Sequence, residues 1–96
     1  MSTLSSRKVL VTGGSGLLGS KLRELLTEAL FPSSQEFDIT DITTMRQYVR
    51  GRQVDTIVHC AALTSPPKVD DDPIRAIRTN IGGTVNVVLL AEELGA

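Results

Sequence analysis

The sequence predicts an α/β fold, a parallel sheet with flanking helices, on three observations. Short apolar runs alternate along the chain with stretches of helical period. The strongest of these runs, VDTIVHCAA at 54–62, is almost continuously apolar, as in a strand buried on both faces. A glycine-rich turn, TGGSGLLG at 12–19, joins the first run to the first helical stretch.

Composition narrows the function classes. With 96 residues, 41% of them hydrophobic and 22% charged, the chain can build one modest core. Lys and Arg number 10 against 11 Asp and Glu, and no basic block or aromatic ladder is present, so no nucleic-acid partner is expected. No apolar run is long enough to span a bilayer. A single cysteine and a polar stretch at 1–8 with no signal-like apolar core make a reducing cytosol the default compartment.

Taken in order, residues 8–12 (KVLVT) read as a buried strand that meets glycines. Leu18, Leu22, Leu25 and Ala29 then recur at helical spacing and predict an amphipathic helix from Gly16 to about Glu28. Residues 29–31 suggest a second strand that Pro32 ends, and Phe37, Asp38 and Ile39 a third. Asp41 is placed to cap a helix whose inner face is Met45, Tyr48 and Val49, with Gly51 ending it. The strand at 54–62 follows. Asp72 and Pro73 start a long helix with a stripe of Ile74, Ile77, Ile81, Val85, Val88 and Glu92 that ends near Gly95. Within it, Gly82 and Gly83 cost helix stability, which a close backbone approach would explain. The expected order is β-α-β-β-α-β-α, without internal repeat or linker, so 1–96 reads as a single domain.

The glycine turn has a physical reading. One glycine lets the chain turn tightly, a second lets backbone approach a phosphate, and a third lets the helix pack closely; Gly13, Gly16 and Gly19 suit those jobs. The helix N-terminus behind them offers unpaired N–H groups and a partial positive charge, which favour a pyrophosphate. The turn follows a strand and opens a helix, the context that favours nucleotide binding over a merely structural turn. Without Gly-Lys-Ser/Thr it is not a triphosphate loop.

TGGSGLLG resembles the cofactor motif of the extended short-chain dehydrogenases/reductases. FDITD at 37–41, VDTIVHCAALT at 54–64 and NIGGTVNVVLLAEELGA at 80–96 are similar to the dTDP-4-dehydrorhamnose reductase family, and the GDP-L-fucose synthase family stands close to it. The resemblance implies the N-terminal part of an NAD(P)-binding Rossmann-like domain that belongs to a nucleotide-sugar reductase or epimerase. It implies that Gly13, Gly16, Leu17, Leu18 and Gly19 cradle the pyrophosphate and that Asp38 and Ile39 flank the adenine. Ala61, Ala62 and Leu63 would line the ribose and nicotinamide path, and Asn80 would tie the long helix to the strand end. The family's usual V-D-K after A-A-x-T is replaced here by Ser65-Pro66-Pro67-Lys68, of which only Lys68 matches.

Cofactor choice pits two counts against each other. About 20 residues beyond the glycine turn stand Glu36 and Asp38, and a carboxylate there would bind the ribose 2′-OH of NAD. The family alignment instead assigns Asp38 to the next strand and places Ser33 and Ser34 at the ribose, where hydroxyls and N–H groups can donate to a 2′-phosphate. The expectation is NADP, with NAD second.

Family members transfer hydride with a Ser or Thr on the next strand and a Tyr-x-x-x-Lys pair on the following helix, and this chain contains no such pair. No residue is therefore assigned a catalytic role, and a nucleotide-sugar substrate is expected only with that further part. Tyr48 and Arg52 in YVRGR imitate the pair, but they precede the VDTIVHCAA strand and a guanidinium does not replace a lysine freely. His59 and Cys60 are adjacent strand residues that point to opposite faces. Asp70, Asp71 and Asp72 read as a solvated helix start rather than a metal site, and Arg46, Arg50 and Arg52 as a solvated helix face. The alternative reading is a non-catalytic regulatory module, since VHCAA also resembles the regulatory-subunit family of methionine adenosyltransferase. An open strand edge from Val54 to Cys60 leads to the further expectation of self-association.

Overall fold

The computed structural model describes residues 8–14, 16–60 and 73–96. Over these the order is β1 (Val9–Thr12), α1 (Leu17–Leu25), α2 (Ile42–Val49), β2 (Thr56–His59) and α3 (Pro73–Leu94). β1 and β2 pair in parallel, from Val9 beside Thr56 to Thr12 beside His59. The carbonyls of Lys8 and Thr12 accept from Asp55 and Cys60 on the β2 side, while Val9 and Val11 exchange backbone bonds with Leu30 on the other. β1 is therefore held on both edges, and all four of its residues are buried. Among the described residues no strand pairs with the far edge of β2.

Two expected strands shrink. The segment 29–31 is reduced to a single parallel bridge between Leu30 and Leu10, because Pro32 has no N–H with which to extend the ladder. Residues 37–39 form a turn and no strand. Asp38 Oδ1 accepts from the N–H of Thr40 at 2.9 Å and its hydroxyl at 2.6 Å, and the Asp41 N–H donates to the Asp38 carbonyl at 2.9 Å. These local bonds compete with a ladder and win. Phe37 and Ile39 still point inward and join Leu10, Met45, Val49, Val54, Val87 and Leu90 in the core.

α2 forms as its sequence dictates. The Asp41 side chain accepts from the Thr43 N–H at 3.0 Å, Met45 and Val49 are buried, and Gly51 leaves the helix at φ +78°. β2 is shorter than the run that encodes it, with Val54 buried ahead of it and 61–62 outside the described residues.

In α1 and α3 the expected apolar stripes are not the buried faces. α1 ends at Leu25, short of Glu28, and its only buried residue is Gly19; Leu18 and Leu25 are exposed and Leu22 half-buried. In α3 the stripe of Ile74, Ile77, Ile81, Val85 and Val88 is the exposed face, and Ala76, Gly83, Val87 and Leu90 are buried instead. Gly83 explains the choice. A Cβ there would come within 2.5 Å of Ile39 Cδ1, whereas one on Gly82 would meet open space, so the close approach belongs to Gly83 alone. Asn86 Nδ2 donates to the Ile39 carbonyl at 2.8 Å, and Arg46 on α2 holds Glu93 on α3 through a two-pronged ion pair. That pairing raises the arginine pKa and lowers that of the glutamate. None of the described helices is long and apolar enough to cross a membrane.

Candidate cofactor crevice

Both strands run their carboxyl ends toward the same side, at Thr12 and His59, where open α/β sheets bind ligands. Beyond Thr12 the chain turns at Gly13, whose φ of +72° favours a residue without Cβ, and the Gly16 N–H closes the turn on the Gly13 carbonyl at 3.0 Å. A methyl on Gly19 would strike the Gly13 oxygen and stand 2.6 Å from Gly14 Cα. Only glycine lets α1 rest this closely on the turn. Gly16 caps α1 in an extended conformation and supplies no side-chain bond, so the first N–H groups of the helix are left for an external acceptor. Leu17 is 94% exposed beside it and Leu18 is exposed as well.

Next to the turn lies a cavity of about 370 Å³, walled by Thr12, Gly13, Gly14, Arg23, Phe31, Pro32, Ser33, Ser34, Glu36, Phe37 and Ile39. It brings together Gly13, Ser33, Ser34 and Ile39 from the expected set. Gly16, Leu17, Leu18, Gly19, Asp38 and Asn80 are not part of its wall, and Ala61, Ala62 and Leu63 lie outside the described residues. Asp38 is engaged with Thr40, and Asn80 sits half-buried on α3.

Two charged residues stand on the wall, Arg23, which the sequence did not assign to the crevice, and Glu36, which only the generic count placed near the ribose. Glu36 Oε1 accepts from the Ser33 N–H at 2.9 Å, and the Glu36 N–H donates to Ser33 Oγ at 3.1 Å. The backbone bond from Ser33 and then its side-chain bond hold the Glu36 carboxyl below the ordinary value, with the Arg52 cation adding to the effect, so it is ionised at neutral pH. Arg23 reaches in from α1, its guanidinium carbon 4.6 Å from the centre of the Phe31 ring. The signal was in the spacing. Arg23 stands four residues after Gly19, one turn further along the face that rests on the glycine turn.

At the strand ends, His59 bridges three elements. Its Nδ1 lies 2.8 Å from Thr12 Oγ1 on β1 and its Nε2 3.2 Å from Thr84 Oγ1 on α3, while the Cys60 N–H donates to Thr12 Oγ1 at 3.0 Å. Burial lowers the pKa of the ring. Tyr48 has a packing role: its ring meets Phe37 edge-on, and Arg52 lies 4.1 Å over its centre while donating to its carbonyl.

The chain is similar to known proteins. The family described as RmlD substrate binding domain matches residues 7–96. The crystal structure of dTDP-4-dehydrorhamnose reductase from Bacillus anthracis in complex with NADP superposes with a TM-score of 0.79 at 32% identity, over 92% of this chain and 33% of that one. GDP-L-fucose synthase of Azorhizobium caulinodans is 30% identical over 86% of this chain and 28% of its own length. Methionine adenosyltransferase 2 subunit beta of Rattus norvegicus is 28% identical over 97% of this chain and 31% of its own length. The chain thus spans about a third of the relatives it matches. With the glycine turn, the parallel strands and the family match in agreement, the chain belongs to the RmlD substrate binding domain family, within the extended short-chain dehydrogenases/reductases.

Proposed function

We propose that this chain is the NADP-binding part of a nucleotide-sugar reductase or epimerase, acting in the cytosol together with a part that supplies the acid–base pair and the sugar pocket. One observation carries the reading: an uncapped helix N-terminus set by Gly13, Gly16 and Gly19 opens beside a cavity walled by Ser33, Ser34 and Arg23. The pyrophosphate would take the N–H groups at Leu17 and Leu18, as such helix ends favour anions. The adenosine ribose would enter the cavity, with Ser33 and Ser34 beside its 2′ position. The NADP complex of the Bacillus anthracis reductase supports the choice of cofactor.

Calorimetric titration of the chain with NADP and NAD tests it. NADP is expected to bind the more tightly; NAD binding that equals or exceeds it, and that weakens in Asp38→Ala, would overturn the cofactor choice. A second reading, a non-catalytic dinucleotide-binding regulatory module, is favoured by the similarity to the methionine adenosyltransferase subunit over 97% of this chain. Sequencing the coding region beyond Ala96 separates the two: a Tyr-x-x-x-Lys helix supports the oxidoreductase, and its replacement supports the regulatory module.

A further inference from the structure

We infer that Arg23 is the specificity-determining residue for the 2′-phosphate of NADP, and that the Glu36 carboxylate holds that phosphate's place at the Ser33 N–H until the cofactor arrives. The inference deepens the cofactor reading above and rests on it. Among the described residues Arg23 is the only cation of the cavity wall and no carboxylate pairs with it. Its guanidinium is braced instead by the Phe31 ring beneath it and by the Gly14 backbone beside it. A Cβ on Gly14 would come within 3.1 Å of Arg23 Nη2 and 2.9 Å of Phe31 Cδ1. Gly14 is thus bare where the arginine and the ring need the room. A guanidinium fixed in this way keeps its N–H donors available, and such a fork matches phosphate oxygens in a bidentate manner.

The same cavity wall carries the complement. Ser33 and Ser34 bring hydroxyls, and the Ser33 N–H already donates to an anionic oxygen, that of Glu36 at 2.9 Å. A site that holds a carboxylate oxygen in this way can accept a phosphate oxygen in its place. Glu36 is exposed, so its carboxylate can leave for water on the side of Arg52, whose charge already acts on it. Once the carboxylate swings out, the Arg23 cation and the Ser33 N–H remain for the phosphate. NAD carries no such phosphate and leaves Arg23 unused.

Calorimetric titration of the unmodified chain, Arg23→Ala, Arg23→Lys and Glu36→Gln with NADP, NAD, 2′,5′-ADP and 5′-AMP tests this. Arg23→Ala is expected to weaken NADP and 2′,5′-ADP by about tenfold or more while leaving NAD and 5′-AMP within about twofold. Arg23→Lys should recover part of the loss, and Glu36→Gln should tighten NADP without tightening NAD. Equal weakening of all four ligands in Arg23→Ala would reduce the residue to a brace for Phe31 and overturn the inference. Loss of NAD binding in Glu36→Gln would make that carboxylate a ribose ligand and overturn it too. Failure of the unmodified chain to bind any of the four would instead sink the cofactor reading itself.

Discussion

α1 and α2 are nearly equal in length, nine and eight residues, and both carry one apolar and one polar side, yet they are built for different purposes. α2 is closed on itself: Asp41 satisfies its first turn and Met45 and Val49 fill the core. α1 is open, with Gly16 in the capping position, no side-chain cap, and glycine as its only buried residue. The fold completes α2 with its own side chains, whereas the first turn of α1 has no side-chain cap. Among the described helices, the one that contributes least to the core is the one whose Arg23 reaches the cavity wall.

Four sets of substitutions break or sharpen this contrast. Met45→Ala removes a fully buried side chain and is expected to cost about 3 kcal/mol in chemical denaturation, against under about 0.5 kcal/mol for Leu25→Ala on α1. Similar costs at the two positions would show that α1 buries its leucines in solution. Gly19→Ala should cost about 2 kcal/mol, because the new methyl meets the Gly13 and Gly14 backbone, and should abolish dinucleotide binding by lifting α1 off the turn. Unchanged affinity there would mean that the turn tolerates the shift.

The caps give the cleanest exchange. Asp41→Ala should lose about 1 kcal/mol of stability with no change in cofactor affinity. Gly16→Asp, whose extended backbone suits a capping carboxylate, should gain about 0.5 kcal/mol and lose binding, since the new charge occupies the pyrophosphate's place. A Gly16→Asp chain that still binds NADP would refute the placement of the pyrophosphate. The smallest effect is one of pH. Burial depresses the His59 pKa, so the unfolded chain takes up a proton more readily than the folded one. The contribution is complete above the ordinary histidine value, near about 6.5, and is lost as the pH falls through the depressed folded value. Denaturation midpoints should fall between pH 7.5 and 5, and His59→Gln should flatten that part of the profile.

How much of this was legible in the sequence depends on what each signal measures. The cap at Asp41, the turn at Gly13, the packing glycine at Gly19 and the start at Pro73 depend on local backbone chemistry, and each was readable at its own residue. Faces were not. Periodicity shows that Ile74, Ile77 and Ile81 share a side of α3, but Ala76, Gly83, Val87 and Leu90 form a second apolar side, and the contact of Gly83 with Ile39 decided between them. Residues 37–39 have strand-like apolar spacing, yet the Asp38 carboxylate turned the backbone into a local loop. Arg23 was not legible from the segment 33–36, because it reaches the same cavity from α1, distant in sequence.

The parallel pairing of β1 with β2 also governs how the molecule assembles. The Thr12–His59, Ile39–Asn86 and Arg46–Glu93 contacts each join residues 47 apart, so each closes a loop of about half the chain. The entropy of such a closure is roughly 3 kcal/mol or more, spent before the contact gives anything back. Such distant contacts are expected to slow folding. The glycine turn, Arg23 and the 31–39 segment all lie within the loop that β1 and β2 close. The crevice is consequently a late product of folding: amide exchange at Val11 and Val58 should share one opening rate with loss of NADP binding.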